Sequence, residues 1–189
     1  MTKAIIFDCF GVLTTEAWLP FKAKYFGHDP EVFKQASQLS WQANGGEISY
    51  EEFMRGIAKL AGITPAEAVK AIERNVPDEG LFAYIDELKQ YYKLGLLSNM
   101  ADDRLARIFT PKQLRHFDII TLSFQTGFIK PERQAFAAAA EQLGVDADEC
   151  IFIDDLAHNV VGAQQAGMMA ILYQDVAQLR HELGELLKS

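Results

Sequence analysis

The chain has 189 residues, of which 49% are hydrophobic and 23% charged, with a net charge of −8. That is a globular balance, with room for one domain and a smaller insert. The charge argues against broad nucleic-acid binding, which rests on Lys and Arg neutralising phosphates, and no apolar run approaches the ~20 residues that span a bilayer.

The opening stretch "KAIIFDCFGVLTT" (3–15) carries an apolar run, Ala4–Phe7, that ends on Asp8. A buried strand ending on a carboxylate is the first chemical mark. Four more runs read as strands: Leu94–Leu97, Ile119–Leu122, Ile151–Ile153 and Met169–Tyr173. Between them "FAYIDELKQYYK" (82–93), "RQAFAAAAEQLG" (133–144) and "HNVVGAQQAGM" (158–168) read as helices, with Gly144 and Gly167 where helices are expected to stop. Continuously apolar strands alternating with helices predict an α/β architecture. It is a Rossmann-like parallel sheet covered by helices on both faces.

Residues 16–78 break this rhythm. "PEVFKQASQLSWQA", "SYEEFMRGIAKLAG" and "TPAEAVKAIERN" are helix patterns, and no strand is evident among them. Thr64 is placed to cap a helix, with Pro65 at its first position. The expected organisation is an α/β core of residues 1–15 and 79–189, with 16–78 as an inserted helical cap.

Ligands of an open parallel sheet bind beyond the carboxyl ends of its strands. Asp8 stands after the first run, Ser98 and Asn99 after the second, and Asp154 and Asp155 after the fourth. Lys130 follows the third run in "TGFIKPE", where Pro131 fits a first helical position. Each mark alone has an ordinary reading as a turn, cap or helix start. Together they place crowded carboxylates, a hydroxyl and a lysine on one edge. Such carboxylates need a counter-charge, and Mg²⁺ takes carboxylates plus substrate phosphate oxygens. An Asp there can act as a nucleophile, with lysine balancing the charge.

In this order the motifs resemble those of the haloacid dehalogenase-like hydrolase superfamily, in the subgroup with a small helical cap. "IIFDCFGVL", "LLSN", "GFIKPE" and "IFIDDLAHNVVGAQQAG" are similar to its four motifs, and the insert lies where the family carries its cap. The resemblance implies a Mg²⁺-dependent phosphatase acting on a small phosphorylated metabolite. Asp8 would be the nucleophile, Ser98 and Asn99 would orient the transferred group, and Lys130 would balance charge. Asp8, Asp155 and the backbone carbonyl of Phe10 would hold the metal, with Asp154 beside them.

Phe10 departs from the pattern, since most phosphatases of the superfamily have an Asp there as acid and base. A subgroup with an altered first motif, including sugar-phosphate phosphatases, is similar here, and "GGEISYEEF" (45–53) also looks like that subgroup. Glu47 is one conceivable replacement acid. Metal-independent 2-haloacid dehalogenases also bear an aromatic residue at this position, but their fourth motif looks like Ser-Ser-Asn. A catalytically weak binding or regulatory protein is the third reading; retention of Asp8, Lys130 and Asp155 counts against it.

The aromatic residues Trp18, Phe21, Trp41 and Tyr50 could line a pocket or form the core of the cap. Cys9 and Cys150 have no metal or redox spacing and are expected to be buried free thiols. Cys9 should point away from the face of Asp8. With no basic region leading a long apolar stretch at the start, the expected compartment is the cytoplasm, without a nucleic-acid or membrane partner.

Overall fold

The computed structural model of the chain describes residues 1–188. Its five-stranded sheet is wholly parallel, in the order β3-β2-β1-β4-β5. The strands are β1 (Ala4–Phe7), β2 (Lys93–Ser98), β3 (Ile119–Leu122), β4 (Cys150–Asp154) and β5 (Met169–Leu172). The fold is the expected α/β, Rossmann-like one.

Alternation explains the two covered faces. Ile5, Phe7, Leu96 and Ile153 enter one core cluster, beside the helices Glu79–Leu88 and Val176–Leu186. Ala4, Ile6, Leu97 and Phe152 enter the other, beside the helices Arg133–Leu143 and Ala157–Gln165. Cys9 belongs to the first cluster, so it does point away from the face that Asp8 continues. Both cysteines are free and buried.

Three helix edges differ from the sequence pattern. The helix expected over 82–93 runs Glu79–Leu88, because the Asp78 carboxylate caps its start by accepting from Leu81 N at 2.9 Å and Lys93 is drawn into β2. The helix expected over 158–168 is Ala157–Gln165; Gly167, at φ +99°, follows its end and turns the chain toward β5. Pro131 is not a first helical residue. The helix begins at Arg133, and the loop before it folds Lys130 down onto the sheet edge.

Between β1 and Glu79–Leu88 lie four helices: α1 (Trp18–Phe26), α2 (Pro30–Asn44), α3 (Tyr50–Ala61) and α4 (Pro65–Ile72). Their starts are written locally. Asp29 caps α2, while α3 and α4 begin in capping boxes, Ser49 with Glu52 and Thr64 with Glu67. Each such cap contributes about 1 kcal/mol. Phe21, Phe26, Phe53, Met54 and Ile57 pack into a core of their own, separate from the two clusters on the sheet. The chain leaves and returns through adjacent segments: Thr15 N donates to Val76 O at 3.1 Å, and Asp78 N to Leu13 O at 3.0 Å. Among the described residues no helix is long and apolar enough to cross a membrane.

Candidate active site

The parallel register sets the site. Phe7 pairs with Ile153 of β4 and Leu96 of β2, so Asp8 emerges between the ends of its two neighbours. Asp154, the last residue of β4, stands beside it, since Asp8 N donates to Ile153 O at 2.9 Å. Carboxylate oxygens of Asp8, Asp154 and Asp155 lie within 4.8 Å of one another.

Lys130 binds two of these groups. Its ammonium donates to Asp8 Oδ1 at 2.5 Å and to Asp154 Oδ2 at 2.7 Å, and all three side chains are buried. Burial alone would lower the lysine pKa; the two carboxylates outweigh it and raise it. Burial pushes the Asp8 carboxyl above the usual carboxylate range, with Lys130 opposing the shift and Asp154 adding to it. The lysine backbone is pinned from β2: Asn99 Nδ2 donates to Lys130 O at 2.9 Å, and Lys130 N donates to Asn99 Oδ1 at 2.8 Å.

Asp154 is held as firmly. It accepts from Leu156 N at 2.9 Å, and Asn159 Nδ2 lies 3.0–3.1 Å from its two oxygens. Asp155 differs, because its Oδ1 is buried without a hydrogen-bond partner. Its carboxyl is pushed up to about 6, first by burial and then by the charge of Asp154. Asp155 also presses on the first loop. A Cβ built on Gly11, at φ +89°, would stand 2.3 Å from Asp155 Oδ2. A glycine is therefore required twice there, for conformation and for space.

This donor set is all oxygen, carries crowded negative charge and includes one orphaned buried carboxylate oxygen. It fits a hard divalent cation such as Mg²⁺.

A cavity of about 390 Å³ opens above the cluster and is lined by Asp8, Phe10, Asn99 and Lys130. Of the aromatic residues singled out in the sequence, Trp18 and Trp41 line it. Phe21 is instead in the helical core, and Tyr50 packs against Arg104. Ser98 is fully buried below the cavity, and its Oγ has no hydrogen-bond partner. Glu47 is exposed and lies outside the cavity lining.

Arg104, Glu16 and Lys22 line the cavity too, and sequence reasoning missed them. Arg104 could have been found by extending the strand-end argument further along the loop after β2. Glu16 and Lys22 follow the loop after β1, but nothing in the sequence separates them from surface charges.

Comparison with known proteins gives a consistent picture. The family model for haloacid dehalogenase-like hydrolases matches residues 2–167. D-ribitol-5-phosphate phosphatase from Bacteroides thetaiotaomicron is 26% identical over the full length of both chains. At the highest identities, 36–38%, the chain spans only 12–42% of the relatives' own length. Among solved structures, a HAD family enzyme of Bacteroides thetaiotaomicron in complex with magnesium and inorganic phosphate is 26% identical, with a TM-score of 0.74 over 95% of this chain and 99% of that one. L-2-haloacid dehalogenase from Xanthobacter autotrophicus shares the fold at 22% identity and a TM-score of 0.69, covering 98% of this chain and 83% of that one.

Proposed function

Because the chain belongs to the haloacid dehalogenase-like hydrolase family, we propose that it is a Mg²⁺-dependent phosphatase of a small phosphate ester, working through an aspartyl-phosphate on Asp8. The observation that carries this reading is the cluster of Asp8, Asp154 and Asp155 oxygens within 4.8 Å, with the buried Lys130 ammonium against it. The relative named D-ribitol-5-phosphate phosphatase and the neighbour in complex with magnesium and inorganic phosphate support it.

In this reading residues 16–78 form a cap over a core of 1–15 and 79–189. Asp8, Asp155 and the Phe10 carbonyl would hold Mg²⁺. Asp154 stays bound to Lys130, Leu156 N and Asn159. When bound, the ion would supply positive charge that lets an anionic phosphoryl group approach carboxylates. An Asp8 oxygen forms a bond to phosphorus as the bond to the leaving oxygen breaks. Water then attacks phosphorus and frees Asp8. Lys130 opposes the effect of burial on Asp8 and aims its carboxylate, Asn99 fixes Lys130, and the unpartnered Ser98 hydroxyl beneath the cavity would orient the transferred group. Two buried free thiols suit a reducing compartment, here the cytoplasm.

Phe10 can neither give nor take a proton. The first step should therefore depend strongly on the leaving group, because a positioned acid is typically worth about 10²–10⁴ in rate. The dehalogenase reading would put a carboxylate substrate against the Asp154–Asp155 pair, and like charges in one dry site are disfavoured. The test is single-turnover hydrolysis of p-nitrophenyl phosphate and a simple alkyl phosphate, with Mg²⁺ and with chelator, beside 2-chloropropionate. Metal-dependent cleavage, faster for the nitrophenyl ester, supports the reading. Metal-free dehalogenation with no phosphate release overturns it.

A further inference from the structure

Arg104 is nine-tenths buried and lines the same cavity as Asp8 and Lys130. Its Nε and Nη1 have no hydrogen-bond partner. Two carboxylates lie near, Glu73 and Asp102, each at 3.6 Å. That is beyond hydrogen-bonding distance; the Glu73 oxygen is engaged elsewhere, while Asp102 Oδ1, the atom facing Arg104 Nε, is itself buried without a hydrogen-bond partner. Glu73 accepts from Tyr50 Oη at 2.8 Å, and Asp102 from Arg107 at 2.8 Å. Arg107 also stands 3.6 Å from Glu73, so two arginines share two carboxylates. The Arg104 guanidinium is held between aromatic rings instead, 4.5 Å from the centre of Tyr50 and 5.7 Å from that of Phe10. These contacts fix its position and leave Nε and Nη1 without a hydrogen bond, each only within ion-pair reach of a carboxylate.

Buried polar donors are almost always satisfied, and an unpaired one is costly. A guanidinium presents a planar fork that matches a carboxylate or phosphate with two parallel hydrogen bonds. A cavity of about 390 Å³ is in the range of whole small-molecule sites, with room for a leaving group as well as a phosphoryl group. Lys22, half-buried beside Trp18, adds a second cation to this wall. Glu16 is the carboxylate facing them; its Oε1 accepts from Leu19 N at 2.9 Å.

We propose that Arg104 receives a second oxyanion, a carboxylate or phosphate, carried by the leaving group of the ester. The substrate class is then a small phosphate ester with two anionic ends. This rests on the phosphatase reading above.

The test measures binding, so it does not depend on turnover. Propylphosphonate, phosphonopropionate and propane bisphosphonate are titrated into the Mg²⁺-loaded protein by calorimetry. Wild type should bind at least one doubly anionic compound about tenfold or more tighter than propylphosphonate. Arg104→Gln should bring that ratio close to one. Arg104→Lys, which keeps the charge but not the fork, should fall between them. Preference for phosphonopropionate points to a carboxylate end, and preference for the bisphosphonate to a second phosphate. No preference in wild type overturns the proposal. So does an Arg104→Gln protein, folded by circular dichroism, that loses affinity for all three in equal proportion, as a purely structural arginine would. Phenyl phosphate is assayed on the same preparation. Its failure to react with any metal counts against the phosphatase reading, while the binding ratios still decide the role of Arg104.

Discussion

The Lys130 ammonium donates to the Asp8 carboxylate at 2.5 Å, across 122 residues of chain. The contact joins the end of β1 to the loop beyond β3, and a second bond from the same nitrogen reaches Asp154 at 2.7 Å. One buried cation thus faces two buried carboxylates. Removing the cation leaves both without compensation, which is far worse than losing a surface pair. Lys130→Met should therefore lower stability by about 3–5 kcal/mol in chelator. Urea unfolding of the two proteins checks this, and a loss below about 1 kcal/mol would mean that the ion pair is not the clamp described here.

Gly11 meets Asp155 in a different way. Alanine there must adopt φ near +89° and place its Cβ against the carboxylate. Backbone strain of this kind costs about 1–3 kcal/mol, and the clash should also move Asp155. Gly11→Ala is expected to lose both stability and Mg²⁺ affinity. Gly62→Ala is the control. It also has a positive φ, +67°, but nothing lies within 4 Å of its Cβ, so it should lose stability alone. Equal Mg²⁺ affinity in both variants would argue against the tight fit at Gly11.

Asp155 has the orphaned oxygen of the cluster. If it is a metal ligand, Asp155→Ala should weaken Mg²⁺ binding by well over tenfold, more than changes to groups that merely support a ligand. Calorimetric titration of both proteins gives the answer, and unchanged affinity would remove Asp155 from the metal site.

Much of this was legible in the sequence because it is local. The run Ala4–Phe7 ending on Asp8 read as a buried strand because every position is apolar, and it is the central strand. The Thr64–Pro65 start read correctly because a cap needs only its own turn. Strand-end reasoning picked out Lys130 as the charge balancing the nucleophile, but not that the same ammonium would also bind Asp154. Pro131 was misread for the same reason. Its preference for a helix start is local, whereas the loop here is shaped by carrying Lys130 to two distant carboxylates. Arg104, in "ADDRLAR", resembles a surface charge on a helix. Only the packing of Tyr50 and Glu73 from the helical segment against the sheet edge buries it.

The most direct test of the account asks what becomes attached to Asp8. The protein is mixed with p-nitrophenyl phosphate and Mg²⁺, quenched in acid within one turnover, digested and analysed by mass spectrometry. The account predicts one phosphoryl group on the peptide containing Asp8, absent when Mg²⁺ is chelated and absent in Asp8→Asn, whose amide is a poor nucleophile. No phosphoryl group on that peptide, together with a propionate ester on Asp8 after metal-free incubation with 2-chloropropionate, would contradict it.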